Sequence, residues 1–212
     1  MENDLFNSQQ IESITFDDIF FDEIGGNTAN NVFKANHYAH RKVQIVKAFG
    51  VFLKDDMITL KGCISFGKPA NNSLCIGVCG KESSNRVYEL NRLWLDDSLP
   101  KNCESKLIGY ALRMLKKEFK KWIIVSYADT AMNHTGAIYR ATNFIYTGLS
   151  DERKCGDYAS IDGKHNRHLV KSDLPNRPRS RKHRYVYFLD KKDEKNLRYK
   201  RENFVKSTLD NG

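Results

Sequence analysis

The stretch from Tyr88 to Gly148, YELNRLWLDDSLPKNCESKLIGYALRMLKKEFKKWIIVSYADTAMNHTGAIYRATNFIYTG, decides the fold of this chain. Val87–Leu95 alternates as a strand, with Val87, Glu89, Asn91 and Leu93 opposing Tyr88, Leu90, Arg92 and Trp94. Asp96–Lys101 is a polar loop that contains Pro100. From Cys103 to about Lys120 the residues Leu107, Ile108, Ala111, Leu112, Leu115 and Phe119 recur at helical spacing, with Arg113, Lys116, Lys117 and Lys120 on the other face. Asn102 stands where an N-cap belongs, and Glu104 suits the positive end of the helix. Trp122–Tyr127 is apolar nearly throughout, as a strand covered on both faces is. A polar loop (Asp129–His134), a short helix (Gly136–Thr142) and a strand (Phe144–Tyr146) follow. The polar residues collect at strand ends and loops, where an α/β protein keeps its chemistry.

Outward from this unit, Ile14–Ile24 reads as an edge strand or short helix and Gly25–Asn31 as a Gly/Asn-rich loop. Gln44–Leu53 and Met57–Phe66 form a hairpin around Asp55 and Asp56. Leu74–Val78 is a short strand or buried turn, and Tyr185–Leu189 is the last strand. The pattern predicts an α/β (α+β) fold in a single domain, a mixed β-sheet flanked by helices. Composition divides the chain into an acidic N-terminal segment (1–31), a globular domain (32–190) and a charged C-terminal tail (191–212).

An apolar fraction of 40% supports a real core in 212 residues. No apolar run reaches the roughly 20 residues of a membrane span, and MENDLFNSQQ has no signal-peptide character. The expectation is a cytoplasmic protein without a membrane partner. Cys63, Cys75, Cys79, Cys103 and Cys155 show no disulfide or metal-site spacing and read as free thiols. The net charge of +9 is unevenly spread: only acidic charges occur up to Phe33, whereas Asn176–Arg184, NRPRSRKHR, contains no acid. Arg177, Arg179, Arg181, Lys182 and Arg184 fit a polyanionic partner, with Tyr185 and Tyr187 directly after them; a solvated basic loop is the plainer reading.

Ser126 and Asp129 end the apolar strand, His134 follows in the loop and Tyr139 lies on the short helix. Asp129 can accept a proton, Ser126 can donate to a carbonyl oxygen and Tyr139 can act as a general acid. Equally, Asp129 can cap the next helix and Tyr139 can pack in the core. His37 and Tyr38, with His40 and Arg41 close behind, offer a proton shuttle or a set of surface side chains. Arg92, in a strand beside Leu93 and Trp94, must pair with a carboxylate, reach a ligand phosphate or point to solvent. His165 and His168 face nucleic acid or solvent in the basic stretch.

The element order resembles the GNAT fold of N-acetyltransferases. That resemblance implies a phosphate-cradling, glycine-bearing turn before the helix, yet Asp96–Ser105 contains no glycine. The longer strings ELNRLWLDDSLPKNCES, VSYAD, HTGAIYRATNFIYTG and NHYAHR, with ISFGKPAN, resemble the Mom family of bacteriophage DNA-modification proteins over roughly Ala35–Leu189. That resemblance implies an enzyme that converts adenine N6 in double-stranded DNA to an N6-carbamoylmethyl form and so protects phage DNA from restriction. The matching site positions are His37, Tyr38, Arg92, Ser105, Ser126, Asp129, His134 and Tyr139. In this reading His37, Tyr38, Ser126, Asp129 and Tyr139 are catalytic, and Arg92, Ser105 and His134 bind substrate. The donor stays open among acyl-CoA, aminoacyl-tRNA and another activated glycine-like compound, and the His–Tyr pair leaves room for iron. A conventional N-acetyltransferase acting on a protein or small amine and a non-enzymatic DNA-binding protein are the competing readings.

Overall fold

The computed structural model describes residues 13–38, 40–151, 157–158, 176–177 and 180–205. A seven-stranded sheet has the order β1-β2-β3-β4-β5-β9-β6. Its strands are β1 (Ile19–Glu23), β2 (Lys47–Leu53), β3 (Leu60–Gly67), β4 (Val87–Leu95), β5 (Ile123–Asp129), β6 (Ile145–Leu149) and β9 (Lys182–Phe188). The short strands β7 (Asp157–Tyr158) and β8 (Asn176–Arg177) pair with each other. Among the seven, only β4 and β5 run parallel. The predicted mixed sheet is present, and β1 is its edge strand.

Helix α3 (Cys103–Glu118) and the short α4 (Ala137–Ala141) cover one face, where Leu107, Ile108, Ala111 and Leu115 pack on Ile64, Phe66, Leu90 and Ile124. Helices α1 (Gly26–Asn36) and α2 (Asn72–Cys79) cover the other. Asn102 precedes α3 in a left-handed conformation (φ 70°) and makes no side-chain cap hydrogen bond, contrary to the cap expected there.

Two segments fold differently from their sequence reading. Gly25–Asn31 is not a loop, because α1 begins at Gly26. Ala29 and Phe33, one helical turn apart, are both fully buried against Ala48 and Cys63, and this burial overrides the poor helix propensity of Gly and Asn. Asn30 adds a two-point grip on the Val43 backbone, accepting from its N–H at 2.9 Å and donating to its carbonyl at 3.1 Å. Leu74–Val78 lies inside α2, capped by the Asn71 side chain accepting from Ser73 N–H and buried through Cys75, Val78 and Cys79.

The change of charge near residue 31 falls within α1, so it does not mark a change of packing. At the other end, residues 191–205 lie across the sheet. The Arg198 N–H donates to the Val78 carbonyl at 2.9 Å and that of Glu202 to Tyr146 at 3.0 Å, while Phe204 packs edge-on against Tyr146 and His183.

Gly67, the last residue of β3, lies so close to the Gln44 carbonyl and the Asn91 amide that a Cβ would collide with both. Gly67→Ala is expected to destabilise the fold by about 1–3 kcal/mol, measured as a lower midpoint with unchanged slope in urea denaturation.

Candidate active site where two parallel strands part

β4 and β5 are paired at only three positions, Val87↔Ile123, Tyr88↔Ile124 and Glu89↔Val125. Beyond Glu89, β4 stays with β3 as far as Leu95, whereas β5 stays with β9 as far as Asp129. The strands therefore diverge and open a crevice in the middle of the sheet. The Ser126 hydroxyl, fully buried, donates to the Leu90 carbonyl at 3.3 Å at the apex of this gap.

A β-bulge sits at the same place. Ser65 pairs with Arg92 and Phe66 with Leu90, which leaves Asn91 as an extra residue on β4. Asn91 accepts a hydrogen bond from the Ser65 hydroxyl (2.6 Å) and donates to the Gln44 carbonyl (3.0 Å). The bulge shifts the alternation of β4 by one. Glu89 and Arg92, which strict alternation puts on opposite faces, both face the side of α1 and α2. Sequence reasoning missed Glu89 as a site residue for this reason; the one signal was an acid on the same face as the core residue Val87.

Around the crevice on that side stand His37 and Tyr38, at the C-terminal end of α1. His37 is 7% exposed, wedged edge-on to Phe33 and against the Tyr38 ring at 4.2 Å between centroids. Tyr38 is 52% exposed and also edge-on to His134 across the mouth. Arg92 donates to the Asn91 carbonyl through one terminal nitrogen (2.7 Å), but its buried Nε has no partner. Burial works against the Arg92 charge, and Tyr38 and Glu89 lie close enough to oppose that effect. Burial lowers the pKa of His37 from 6.5 to about 4, helped by the positive charges of Arg92, His40 and His134. His37 is thus a neutral imidazole at physiological pH.

Ser126 and Tyr139 lie on the opposite side of the sheet from Asp129. Tyr139 is buried with the α3 cluster, and burial pushes its phenol up to about 12 while its hydrogen bond with Ser126 works the other way. Gly136, at φ 69° with the Tyr185 ring against its Cα, sets the start of the helix that carries Tyr139.

Asp129 is a fastener. It accepts hydrogen bonds from the Ala131 N–H (3.0 Å) and the Ser180 hydroxyl (2.5 Å), and forms an ion pair with Lys182 at 3.0 Å. Burial raises its pKa, but the Ser180 and Lys182 interactions outweigh that and hold the carboxyl below its ordinary value. Ser105 lies apart from the crevice in a groove of about 700 Å³ beside α3, together with Asn102, Lys106, Arg113, Lys116 and Tyr187.

The basic stretch divides in use. Arg179, Cys155, His165 and His168 lie outside the described residues, as does the side chain of Arg177. Arg181 is exposed and donates to the Ser150 carbonyl. Arg184 is tied to Thr147 by two hydrogen bonds and stacks on the Tyr199 ring at 3.4 Å, so it braces the C-terminal strap. Tyr185 is fully buried, whereas Tyr187 packs on Phe144 and lines the groove beside α3.

The turn that precedes α3 carries Asp96 and Asp97, and Ser98 holds the Asp96 carboxylate ionised through its hydroxyl and N–H. With Glu104 these acids line a hollow at the helix start, a poor seat for a pyrophosphate, so the residues present do not fit coenzyme A in that position. Among the described residues no group of three or more His, Cys, Asp or Glu side chains could hold a metal ion, and no helix is long and apolar enough to cross a membrane.

Comparison with known proteins agrees with this geometry. The model of the Mom protein family matches residues 18–206. The methylcarbamoylase mom of Escherichia phage Mu is 29% identical over 192 residues, covering 81% of this chain and 76% of that protein. Among solved structures, the ribosomal-protein-S5-alanine acetyltransferase of Vibrio fischeri superposes with a TM-score of 0.52 at 12% identity, over 84% of this chain and 97% of its own. The Salmonella typhimurium protein yncA, whose structure carries its cofactor acetyl-CoA, gives 0.52 at 11% identity, over 82% and 95%. The fold is that of the GNAT acetyltransferases.

The depressed pKa of His37 has a measurable sign. Between pH 6.5 and about 4 the unfolded chain binds the proton that the folded chain refuses, so stability falls as pH drops through that window. Denaturation curves across it are expected to show this loss, and His37→Gln to flatten it. Uptake of a proton by His37 near pH 6.5 in an NMR titration would contradict the assignment.

Proposed function

The chain belongs to the Mom protein family, and from that premise we propose that it converts adenine N6 in duplex DNA to N6-carbamoylmethyl adenine, protecting phage DNA from restriction. The observation that carries the reading is the crevice itself. An exposed aromatic ring, Tyr38, leans on a neutral histidine beside an arginine with an unsatisfied buried nitrogen. A paired amine is out of reach inside a duplex, so the base must be extruded. Tyr38 supplies a face for it to stack on, worth about 1–3 kcal/mol in such sites. Arg181, with Arg41 and Lys42 on the loop after α1, provides exposed positive charge for the DNA backbone.

The two sides of the sheet suggest a division of labour. The base approaches from the side of His37, Tyr38 and Arg92, and the donor from the side of Ser126 and Tyr139. Ser126 is placed to donate to the carbonyl oxygen of the transferred group, and Tyr139, un-ionised, keeps a proton for the departing group. The acidic turn before α3 favours an activated glycine-like donor over acyl-CoA, and with it weighs against conventional acetyl transfer. The cost of leaving Arg92 Nε buried and unpaired weighs against a purely structural cluster.

Expression in a bacterial host followed by nucleoside mass spectrometry of its DNA tests the reading, with carbamoylmethyl adenine as the expected product. Arg92→Lys keeps the charge but not the planar fork and is expected to lower the product at least tenfold. Unmodified adenine throughout, from soluble folded protein, would overturn the reading. Duplex binding should weaken steeply with salt, by a logarithmic slope of about 0.9 per phosphate contact.

A further inference from the structure

We infer that Glu89 is the proton acceptor for the adenine amine, the role that the pairing of Asp129 and the burial of His37 leave unfilled. The inference rests on the function proposed above. Three observations on position carry it. Glu89 is the last residue at which β4 and β5 pair, so it stands at the apex of the crevice. The bulge at Asn91 brings it to the same face as Arg92. Its half-buried carboxylate makes no hydrogen bond or ion pair among the described residues.

The titratable groups that sense Glu89 on its own side of the sheet are Arg92 on β4, Lys182 on β9, Tyr127 on β5 and Cys75 on α2, and Tyr139 on α4 senses it from the opposite side. Burial raises its pKa, and the charges of Arg92 and Lys182 offset this only in part. Those two cations favour the ionised form, which is the form that accepts a proton. A carboxylate with a raised pKa is a stronger base than Asp129, whose pKa is lowered, or than His37 at about 4.

The step balances as follows. The lone pair of N6 forms the new bond to the methylene carbon of the donor's carbamoylmethyl group, and the bond from that methylene to the leaving group breaks with its electron pair. The N6–H bond breaks and its proton passes to a Glu89 oxygen; the departing group takes a proton from the Tyr139 hydroxyl, and both residues return to their starting states by proton exchange with solvent. Lys182, held by Asp129, keeps positive charge near the carboxylate through the cycle.

The test compares the unaltered chain with Glu89→Gln and Glu89→Asp by nucleoside mass spectrometry of host DNA, by duplex binding and by thermal melting of the purified proteins. Glu89→Gln should lower modification about a hundredfold or more, bind duplex as before and melt no lower than the unaltered chain, since the amide removes the cost of a buried charge. Glu89→Asp, which keeps the carboxylate, should retain more product than Glu89→Gln. If the unaltered chain modifies DNA and the two variants give equal product, or Glu89→Gln matches the unaltered chain, the role of Glu89 alone is overturned. A Gln variant that melts well below the unaltered chain would mark the residue as structural and also overturn it. No product from the unaltered chain would remove the functional reading, and this role with it.

Discussion

The site depends on one extra residue in a strand. Asn91, held by the Ser65 hydroxyl and the Gln44 carbonyl, shifts the phase of β4 just where its pairing with β5 ends. The phase decides which side chains meet. Before the bulge, Val87 and Glu89 face α1 and α2; after it, Arg92 and Trp94 do. Without it, Arg92 would be driven into the apolar α3 face, at the cost of burying a charge among leucines. The bulge thus puts an acid, Glu89, and a cation, Arg92, on one face of a sheet whose ladder would otherwise separate them. The close approach of Gly67 to Asn91 and Gln44 belongs to the same arrangement.

Most of the sheet was legible because its strands are long and strongly patterned. β4, α3 and β5 were read nearly to their ends, since apolar spacing there is set by burial on two known faces. The two failures have a common cause. α1 is rich in Gly and Asn, and α2 is only eight residues long, so neither shows its period in sequence. Each is a helix because the sheet behind it needs covering, which is a tertiary fact. The bulge was illegible for a related reason. It is one residue of irregularity inside an alternating run, and nothing in YELNRLW marks Asn91 as the extra one.

The candidate site was legible as a list and not as an arrangement. His37, Tyr38, Arg92 and His134 do converge. Ser126 and Asp129, three residues apart on one strand, do not, because an odd spacing on an unbroken ladder sends side chains to opposite faces. Asp129 faces Lys182 on the neighbouring strand, where the register pairs them directly. Its capping of the following 3₁₀ turn and its hold on Ser180 make it the point at which the basic segment is fastened to the sheet.

Charge is distributed in this protein by what each group must do. Lys182 and Arg184 sit in a run that looks like one polyanion-binding stretch, yet the structure employs them internally, one against Asp129 and the other against Tyr199. Arg181 of the same run is exposed instead. In contrast, Arg92 and Glu89 are close in space but do not form an ion pair, and both have their charged forms disfavoured by burial. A pair placed only for stability would close that distance. Holding two half-buried charges apart, each incompletely satisfied, costs stability in the free protein and is the kind of cost that persists at sites where a ligand later fills the space between.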